Sequence, residues 1–293
     1  MTKKYGVLGR LALFVTALIW GTSFVILKST LNSVSTMWML TIRFTISAII
    51  LLAFASRRLK KMDRRTLTGA VLMGCCLAAA YIVQTYGLVY TTAGKNAFLT
   101  ATYCVLVPFL AWAVYKRKPG VNNVIAAVLC ITGIGFVSLS SGFDRLNIGD
   151  VLTLLCGVFY AFQIIMMENY IDGGDSVSIS AVEFSTAAVV CLAGALIFEP
   201  VPTNIPHDAY FAILYLSVMC TAVCFFLQAW GMQYTPSATA AVIMTLEAVF
   251  GALFSVLFAH EELTPRLTLG FSLIFVSVLM SEVGGMLFKR KKA

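Results

Sequence analysis

The sequence predicts an all-α integral membrane protein of ten transmembrane helices, arranged as two inverted five-helix repeats. Three observations carry that expectation. Of the 293 residues, 60% are hydrophobic and only 12% are charged, more apolar surface than a water-soluble domain of this length needs. The apolar residues fall into ten runs, each near the ~20 residues that a helix needs to cross the hydrocarbon core. Finally, Cys76–Pro119 returns, shifted by 144 positions, as Cys220–Leu263. Cys76/Cys220, Ala78/Ala222, Gln84/Gln228, Gly87/Gly231, Tyr90/Tyr234, Thr91/Thr235, Ala97/Ala241 and Val105/Val249 are identical in the two copies. A shared Gln-x-x-Gly-x-x-Tyr-Thr is not what apolar composition alone produces.

The ten runs are expected near 9–28, 35–55, 68–90, 95–115, 121–140, 150–168, 177–198, 208–232, 236–259 and 266–287, with boundaries good to about 2–4 residues. The first is too long for a signal peptide, ends at Lys28 without a small-x-small cleavage pattern and carries Trp20, so it reads as a retained helix. Basic residues then set the orientation. Sixteen Lys and Arg fall on one side: Lys3, Lys4, Arg10, the run from Arg57 to Arg65, Lys116–Lys118 and Lys289–Lys292. The other side holds only Lys28, Lys95, Arg145 and Arg266. Basic loops stay cytoplasmic, so both termini are expected inside, in a multi-pass protein of the plasma (inner) membrane. The acidic loop Glu168–Ser176, with Asp172 and Asp175, is the exception to this pattern.

Five spans per half is an odd number, which forces the second half to enter the membrane inverted. The charges after each copy reverse accordingly, from Lys116-Arg117-Lys118 to His260-Glu261-Glu262. The polar stretch Ser140–Gly149 reads as the connector, dividing the chain into a first repeat at 1–140 and a second at 141–293. Asp150 stands where an N-cap of the sixth helix belongs, and Pro236 suits the first turn of the ninth.

Composition also excludes functions. The net charge of +8 sits in short clusters between apolar runs, as cytoplasmic loops do, and does not point to nucleic acid. All eight cysteines fall inside predicted spans with no CxxC spacing, so they read as small hydrophobes rather than a disulfide or metal framework. No cofactor is expected. A membrane-embedded enzyme would need more than His207 and His260 in predicted outer loops, and no HExxH or GxSxG pattern occurs. No P-loop is present for an ATP-driven pump. Two inverted halves without a repeated ring of charges favour a carrier over a channel, with its site where the halves meet.

Several motifs resemble one family. Leu18-Ile19-Trp20-Gly21-Thr22-Ser23-Phe24 resembles the first-helix signature of the EamA-type drug/metabolite transporters, and Arg43-Phe44 looks like the arginine of their second helix. Gly149-Asp150-Val151-Leu152, running into Phe159-Tyr160-Ala161, is similar to the opening of their second repeat. Glu247 and the apolar run to Glu262-Leu263-Thr264 resemble their ninth helix and the turn after it. Ala248 departs from the pattern, standing where many members have the proline that would kink this helix. The resemblance covers nearly the whole chain and implies a carrier of amino acids, amines or related solutes, often an exporter. The alternative is a multidrug or quaternary-cation exporter.

The candidate substrate-binding residues are Trp20, Arg43, Tyr81, Gln84, Tyr103, Tyr160, Glu183, Phe225, Gln228 and Glu247. Glu247 lies mid-span, where a carboxylate costs roughly 2.5–3.5 kcal/mol, so it reads either as a proton-coupling or amine-binding carboxylate or as a structural hydrogen-bonding group between helices. Aligning Arg43-Phe44 with Glu183-Phe184 at an offset of 140 gives equivalent places in the two repeats. Each of these charges would bind a substrate group or snorkel to the nearer interface. Gln84 and Gln228, with Tyr81 and Phe225 three residues earlier, give two matching amide-plus-aromatic faces. With Trp20, Tyr103 and Tyr160 they would line a cavity for an organic solute; the bland reading is interhelical glue. Tyr86, Tyr90, Trp112 and Trp230 read as interfacial belts. Gly133, Gly135, Gly270 and Ser277 suit close helix packing, within one chain or in a homodimer. The expected partners are therefore a small-molecule substrate, lipid, and protons or another coupling ion.

Overall fold

The computed structural model describes residues 3–59, 62–116, 118–138, 147–170, 175–235 and 237–289, and their regular elements are all helical. In chain order these are α1 (Lys3–Thr30), α2 (Thr36–Leu59), α3 (Arg64–Tyr90), α4 (Ala93–Ala101), α5 (Tyr103–Tyr115), α6 (Val121–Ser138), α7 (Ile148–Tyr170), α8 (Ser176–Phe198), α9 (His207–Ser217), α10 (Cys224–Tyr234), α11 (Ser237–Ala259) and α12 (Pro265–Lys289). A π-helical stretch, Val218–Val223, joins α9 to α10. Nine segments among the described residues are long and apolar enough to cross a membrane, and Pro265–Ser281 supplies a shorter tenth. Phe54, Ile131, Ile197 and Phe211 are each more than two-thirds exposed, an apolar exterior that only a bilayer makes favourable.

Two spans are interrupted where unbroken helices were expected. The fourth breaks at Thr102, whose hydroxyl turns back to the Leu99 carbonyl at 2.7 Å and separates α4 from α5. Pro108, inside α5, has no N–H to give the carbonyl four residues earlier. That carbonyl, on Cys104, accepts instead from Ser281 of α12 at 3.1 Å. The eighth span carries the π stretch. By contrast α11 runs unbroken through Ala248. Helix starts follow side-chain chemistry. Asp63 accepts from the N–H groups of Arg65 and Thr66 to cap α3, and the bonds from Thr66 hold its carboxyl below the usual range.

The expectation for Asp150 needs correction. Asn147, not Asp150, caps α7, its Oδ1 accepting from Gly149 N–H at 2.8 Å. Asp150 lies inside the first turn, 1% exposed, and faces the other half. The Thr91 hydroxyl donates to its Oδ1, and Lys95 Nζ lies 3.9 Å from its Oδ2. Pro236 and connector residues 140–146 lie outside the described residues.

The halves interleave, α2 packing on α8, α3 on α7, and α1 on α10 and α11. Two faces result. One holds the end of α1, the α3–α4 turn and the start of α7. Lys28 Nζ ties α1 to the turn by donating to the carbonyls of Leu88, Val89 and Thr91 at 2.6–2.9 Å, and Asn147 Nδ2 ties α7 to it by donating to Tyr90 O at 2.9 Å. The face with the N-terminus holds the Arg58–Asp175 ion pair at 3.1 Å and the stacked rings of Tyr5 and Tyr234.

The repeat is visible in the backbone. A Cβ on Gly87 would lie 2.9 Å from Gly149 O, and one on Gly231 would lie 2.9 Å from Gly9 O. Both are backbone-to-backbone crossings between the halves, one near each face, made by residues that the 144 and 140 offsets equate. The only non-glycine residues with positive φ among those described, Lys116 (58°) and His260 (52°), are another equated pair. Each ends the fourth span of its repeat. Gly133 and Gly270 cross within the chain, a Cβ on Gly133 falling 2.9 Å from Gly270 O, whereas Gly135 has open space around it.

Two stability results follow. Gly87→Ala and Gly231→Ala place a methyl into backbone and should each lower stability by about 1–3 kcal/mol. Lys116→Gly and His260→Gly relieve the left-handed penalty at exposed positions and should raise it by about 1 kcal/mol each. Thermal unfolding of the purified protein in detergent measures both, and unchanged midpoints for the alanine variants would contradict the crossings.

Candidate functional site

Seven aromatic rings form an unbroken chain through the protein interior. Tyr103 meets Tyr160 at 5.8 Å between centroids, Tyr160 meets Tyr81 at 5.7 Å, and Tyr81 meets Phe44 edge-on at 5.1 Å. Phe44 stacks on Phe184 at 5.9 Å, Phe184 meets Phe225 edge-on at 4.8 Å, and Phe225 meets Trp20 at 5.4 Å. The chain is a palindrome of the repeat. Phe44 and Phe184 are equivalent residues, as are Tyr81 and Phe225, and Tyr160 and Trp20. An operation that exchanges the halves maps the Phe44–Phe184 pair onto itself, so the pseudo-two-fold axis runs between these two rings. Such pairs contribute ~0.5–1.5 kcal/mol each beyond buried area, enough to hold the halves in register.

The two arms differ in polarity. On the first, Tyr160 OH donates to Gln84 Oε1 at 3.0 Å, and Gln84 Nε2 donates to Thr100 Oγ1 at 2.9 Å. Asn96 reinforces this link, donating to Thr153 Oγ1 at 2.8 Å. On the second arm Met244 stands where Thr100 stands. Gln228 is half-buried and makes no hydrogen bond to the described residues of the cluster. The symmetric Gln pair is thus matched in sequence and unmatched in bonding. Trp20 turns instead to the backbone, its Nε1–H donating to Cys220 O at 2.7 Å.

That carbonyl belongs to the π stretch, which the sequence did not announce. A π turn misaligns successive carbonyls and frees them for other donors. Ser47 Oγ donates to Ser217 O at 2.8 Å, and Thr221 Oγ1 donates to Leu216 O at 2.9 Å. Thr221 in turn accepts from Arg43 Nε at 3.0 Å. Arg43 lays its guanidinium over the Tyr81 ring, 4.9 Å from the centroid. It is 2% exposed, so it does not snorkel. Glu183, 3% exposed, stays inside as well and accepts from Gln163 Nε2 at 2.7 Å.

Of the ten sequence candidates, Trp20, Arg43, Tyr81, Gln84, Tyr103, Tyr160 and Phe225 are therefore joined by direct contacts. Glu247 is half-buried on α11, within electrostatic reach of Tyr81, Tyr160 and Cys220. It is the repeat equivalent of Tyr103. Sequence reasoning missed Phe44, Phe184, Thr221 and Gln163. Phe44 and Phe184 were legible as identical neighbours of Arg43 and Glu183. Thr221 shows only as a hydroxyl where the first copy has Leu77. Near the end of α8, the Tyr86 hydroxyl donates to Glu199 at 3.1 Å.

A separate cavity of about 340 Å³ lies between α5, α6 and α7, lined by apolar groups including Val105, Phe109, Ile134 and Leu154. No candidate residue lines it. Among the described residues no group of three His, Cys, Asp or Glu is placed to hold a metal ion.

A helical membrane protein whose inverted halves close around charged and aromatic groups on their common axis has the build of a membrane transporter. The chain belongs to the EamA-like transporter family, whose model matches residues 7–139 and again 147–282. A protein of Archaeoglobus fulgidus named as an uncharacterized transporter is 35% identical over 270 residues, covering 92% of this chain and 84% of its own. The uncharacterized transporter YoaV of Bacillus subtilis is 22% identical, covering 96% and 98%. A crystal structure 14% identical in sequence shares the fold, with a TM-score of 0.70 over 97% of this chain and 99% of that one.

Tyr160→Phe tests the first arm, because it keeps the ring contacts and leaves Gln84 Oε1 without its donor. It should cost about 1–3 kcal/mol in detergent unfolding. A neutral result would mean that the Tyr160–Gln84 bond contributes nothing to joining the halves.

Proposed function

We propose that the protein is a secondary carrier of small organic metabolites, amino acids, amines or related solutes, acting as an exporter or exchanger by alternating access. The observation that carries this reading is the ring chain on the pseudo-two-fold axis, with Arg43 buried against it. Flat faces, hydroxyls and a fixed charge suit an organic solute with polar and aromatic or aliphatic parts. Their place between inverted repeats is where a rocking carrier holds its substrate.

The reading sets the protein in the plasma membrane with both termini cytoplasmic, from the distribution of basic residues. The face tied by Lys28 is then external. Its closure depends on the second half reaching across to cap helices of the first. Glu261 accepts from the N–H groups of Ala93 and Gly94 at 2.7 and 3.3 Å, and Glu199 accepts from those of Met37 and Trp38 at 3.1 and 3.3 Å. Carboxylates suit helix N-termini. In the sequence, the 144 offset equates Glu261 with Arg117, whose charge is wrong for that role. Opening outward requires these caps to release.

Quaternary-cation export is the second reading, favoured by the second arm. There Trp20 and Phe225 offer ring faces without hydroxyls, and Glu247 occupies the place that Tyr103 takes on the first arm.

Cysteine labelling should find 56–66 and 116–119 cytoplasmic, and 200–207 and 261–264 external; the last two appearing inside would remove the inverted orientation. In proteoliposomes, Glu247→Gln should permit exchange and abolish gradient-driven accumulation if the carboxylate couples protons. If it binds an amine, exchange of cationic solutes should fall more than exchange of neutral ones. Accumulation unaltered across the pH range would leave Glu247 a structural residue. Crosslinks locking the turns 91–96 and 235–239 should stop transport, and full activity with both locked would refute alternating access.

A further inference from the structure

We infer that Arg43 binds a carboxylate of the transported solute, through the end of its guanidinium that makes no hydrogen bond to the described residues. This deepens the carrier reading above and rests on it.

Arg43 is a cation fixed in the dry interior, 2% exposed. A guanidinium does not lose its proton there, so the charge needs a counterpart. Among the described residues no carboxylate lies within 4 Å of it, and Glu247, though within electrostatic reach of the same Tyr81, Tyr160 and Cys220, forms no ion pair with it. The ion pairs among the described residues are Arg58–Asp175 and Lys95–Asp150, both near the membrane faces. Glu183, the repeat equivalent of Arg43, is bonded to Gln163, so the two opposite charges of the repeat do not neutralise each other. Arg43 makes a single side-chain hydrogen bond to described residues, from Nε to Thr221. Its two terminal amino groups make none.

The side chain is nonetheless held firmly. Thr221 fixes Nε, and the Tyr81 ring supports the guanidinium plane at 4.9 Å. Those two contacts use one edge and one face and leave the terminal fork free. Two parallel N–H donors are the geometry that a planar carboxylate accepts bidentately. The π stretch explains why the arrangement exists on one arm only. Thr221 is presented by that turn, while the equivalent Leu77 sits in continuous α3. Thr221 is thus a positioning residue, acting on the solute through Arg43. The substrate class follows: solutes that carry a carboxylate, with an amine optional.

The test uses the full-length protein in lipid nanodiscs and a panel of free amino acids and simple mono- and dicarboxylic acids. Each carboxylate is compared with its methyl ester and, for amino acids, with the decarboxylated amine, binding being read by calorimetry. At least one carboxylate should bind ten-fold or more tightly than its ester or amine. Arg43→Gln should abolish that preference. Arg43→Lys, which keeps a buried charge in case the glutamine variant does not fold, should reduce it at least ten-fold because ammonium lacks the fork. Thr221→Val should weaken carboxylates several-fold without changing amines, and Thr221→Ser should restore them, which a purely structural role would not produce. Equal binding of acids, esters and amines, or a preference retained in Arg43→Lys, would overturn the inference, as would failure of every carboxylate to bind. Counterflow in proteoliposomes separates the two claims. Exchange of amines and esters at the rate of acids sinks the anion site and leaves the carrier standing, while binding without any exchange sinks the carrier.

Discussion

The hydrocarbon core of a bilayer offers no hydrogen bonds, so each polar group within it must be met by another part of the chain. A continuous helix satisfies this by itself. This protein departs from continuous helix at a few places, and several of these departures are served from a distant segment. The N–H groups that open α2 and α4 meet Glu199 and Glu261. The carbonyl freed by Pro108 meets Ser281, and those of the π stretch meet Trp20 and Ser47. Most of these donors and acceptors come from the opposite repeat. The interface between the halves is therefore a set of repairs to broken helices, laid around a ring-stacked centre.

Repeat symmetry supplies the scaffold, and its violations supply the chemistry. Backbone features are kept: paired glycine crossings, paired left-handed residues, paired edge-on rings. Side chains diverge where polarity matters. Arg43 faces Glu183 across the repeat relation, Tyr103 faces Glu247, Thr100 faces Met244 and Leu77 faces Thr221. Each substitution changes a donor, an acceptor or a charge, and at Leu77/Thr221 and Thr100/Met244 the local backbone differs as well. On the carrier reading proposed above, a solute held between the arms would meet phenols and a guanidinium on one side, and indole and a carboxylate on the other.

Much of this was legible beforehand, for a physical reason. Length, apolar periodicity and loop charge determine which segments span, because the bilayer selects on those quantities alone. The recurring Gln-x-x-Gly-x-x-Tyr-Thr disclosed the second half, and Arg43 and Glu183 emerged because buried charges are conspicuous in an apolar sequence. What stayed hidden depends on tertiary partners. Thr102 breaks the fourth span and Cys220 sits in a π turn, yet neither residue is a helix breaker by type. Asp150 looked like a cap by position, but Asn147 reaches the free N–H group first and Thr91 claims the aspartate. The amide pair Gln84 and Gln228 is matched in sequence, and the unlike neighbours Thr100 and Met244, and Tyr160 and Trp20, separate their bonding.

The stacked pair Phe44–Phe184 has one more property. Points on a rotation axis do not move when that rotation exchanges two arrangements. If the two repeats swap conformations between the outward and inward states, these rings are the fulcrum, and their mutual packing is a contact that the exchange leaves unaltered. Tyr103 and Glu247, at the tips of the arms, travel furthest and trade surroundings. A solute carried in this way would bend its route around the fulcrum rather than cross it. A spectroscopic label beside Phe44 would read as a stationary reference against which the displacement of either tip could be gauged.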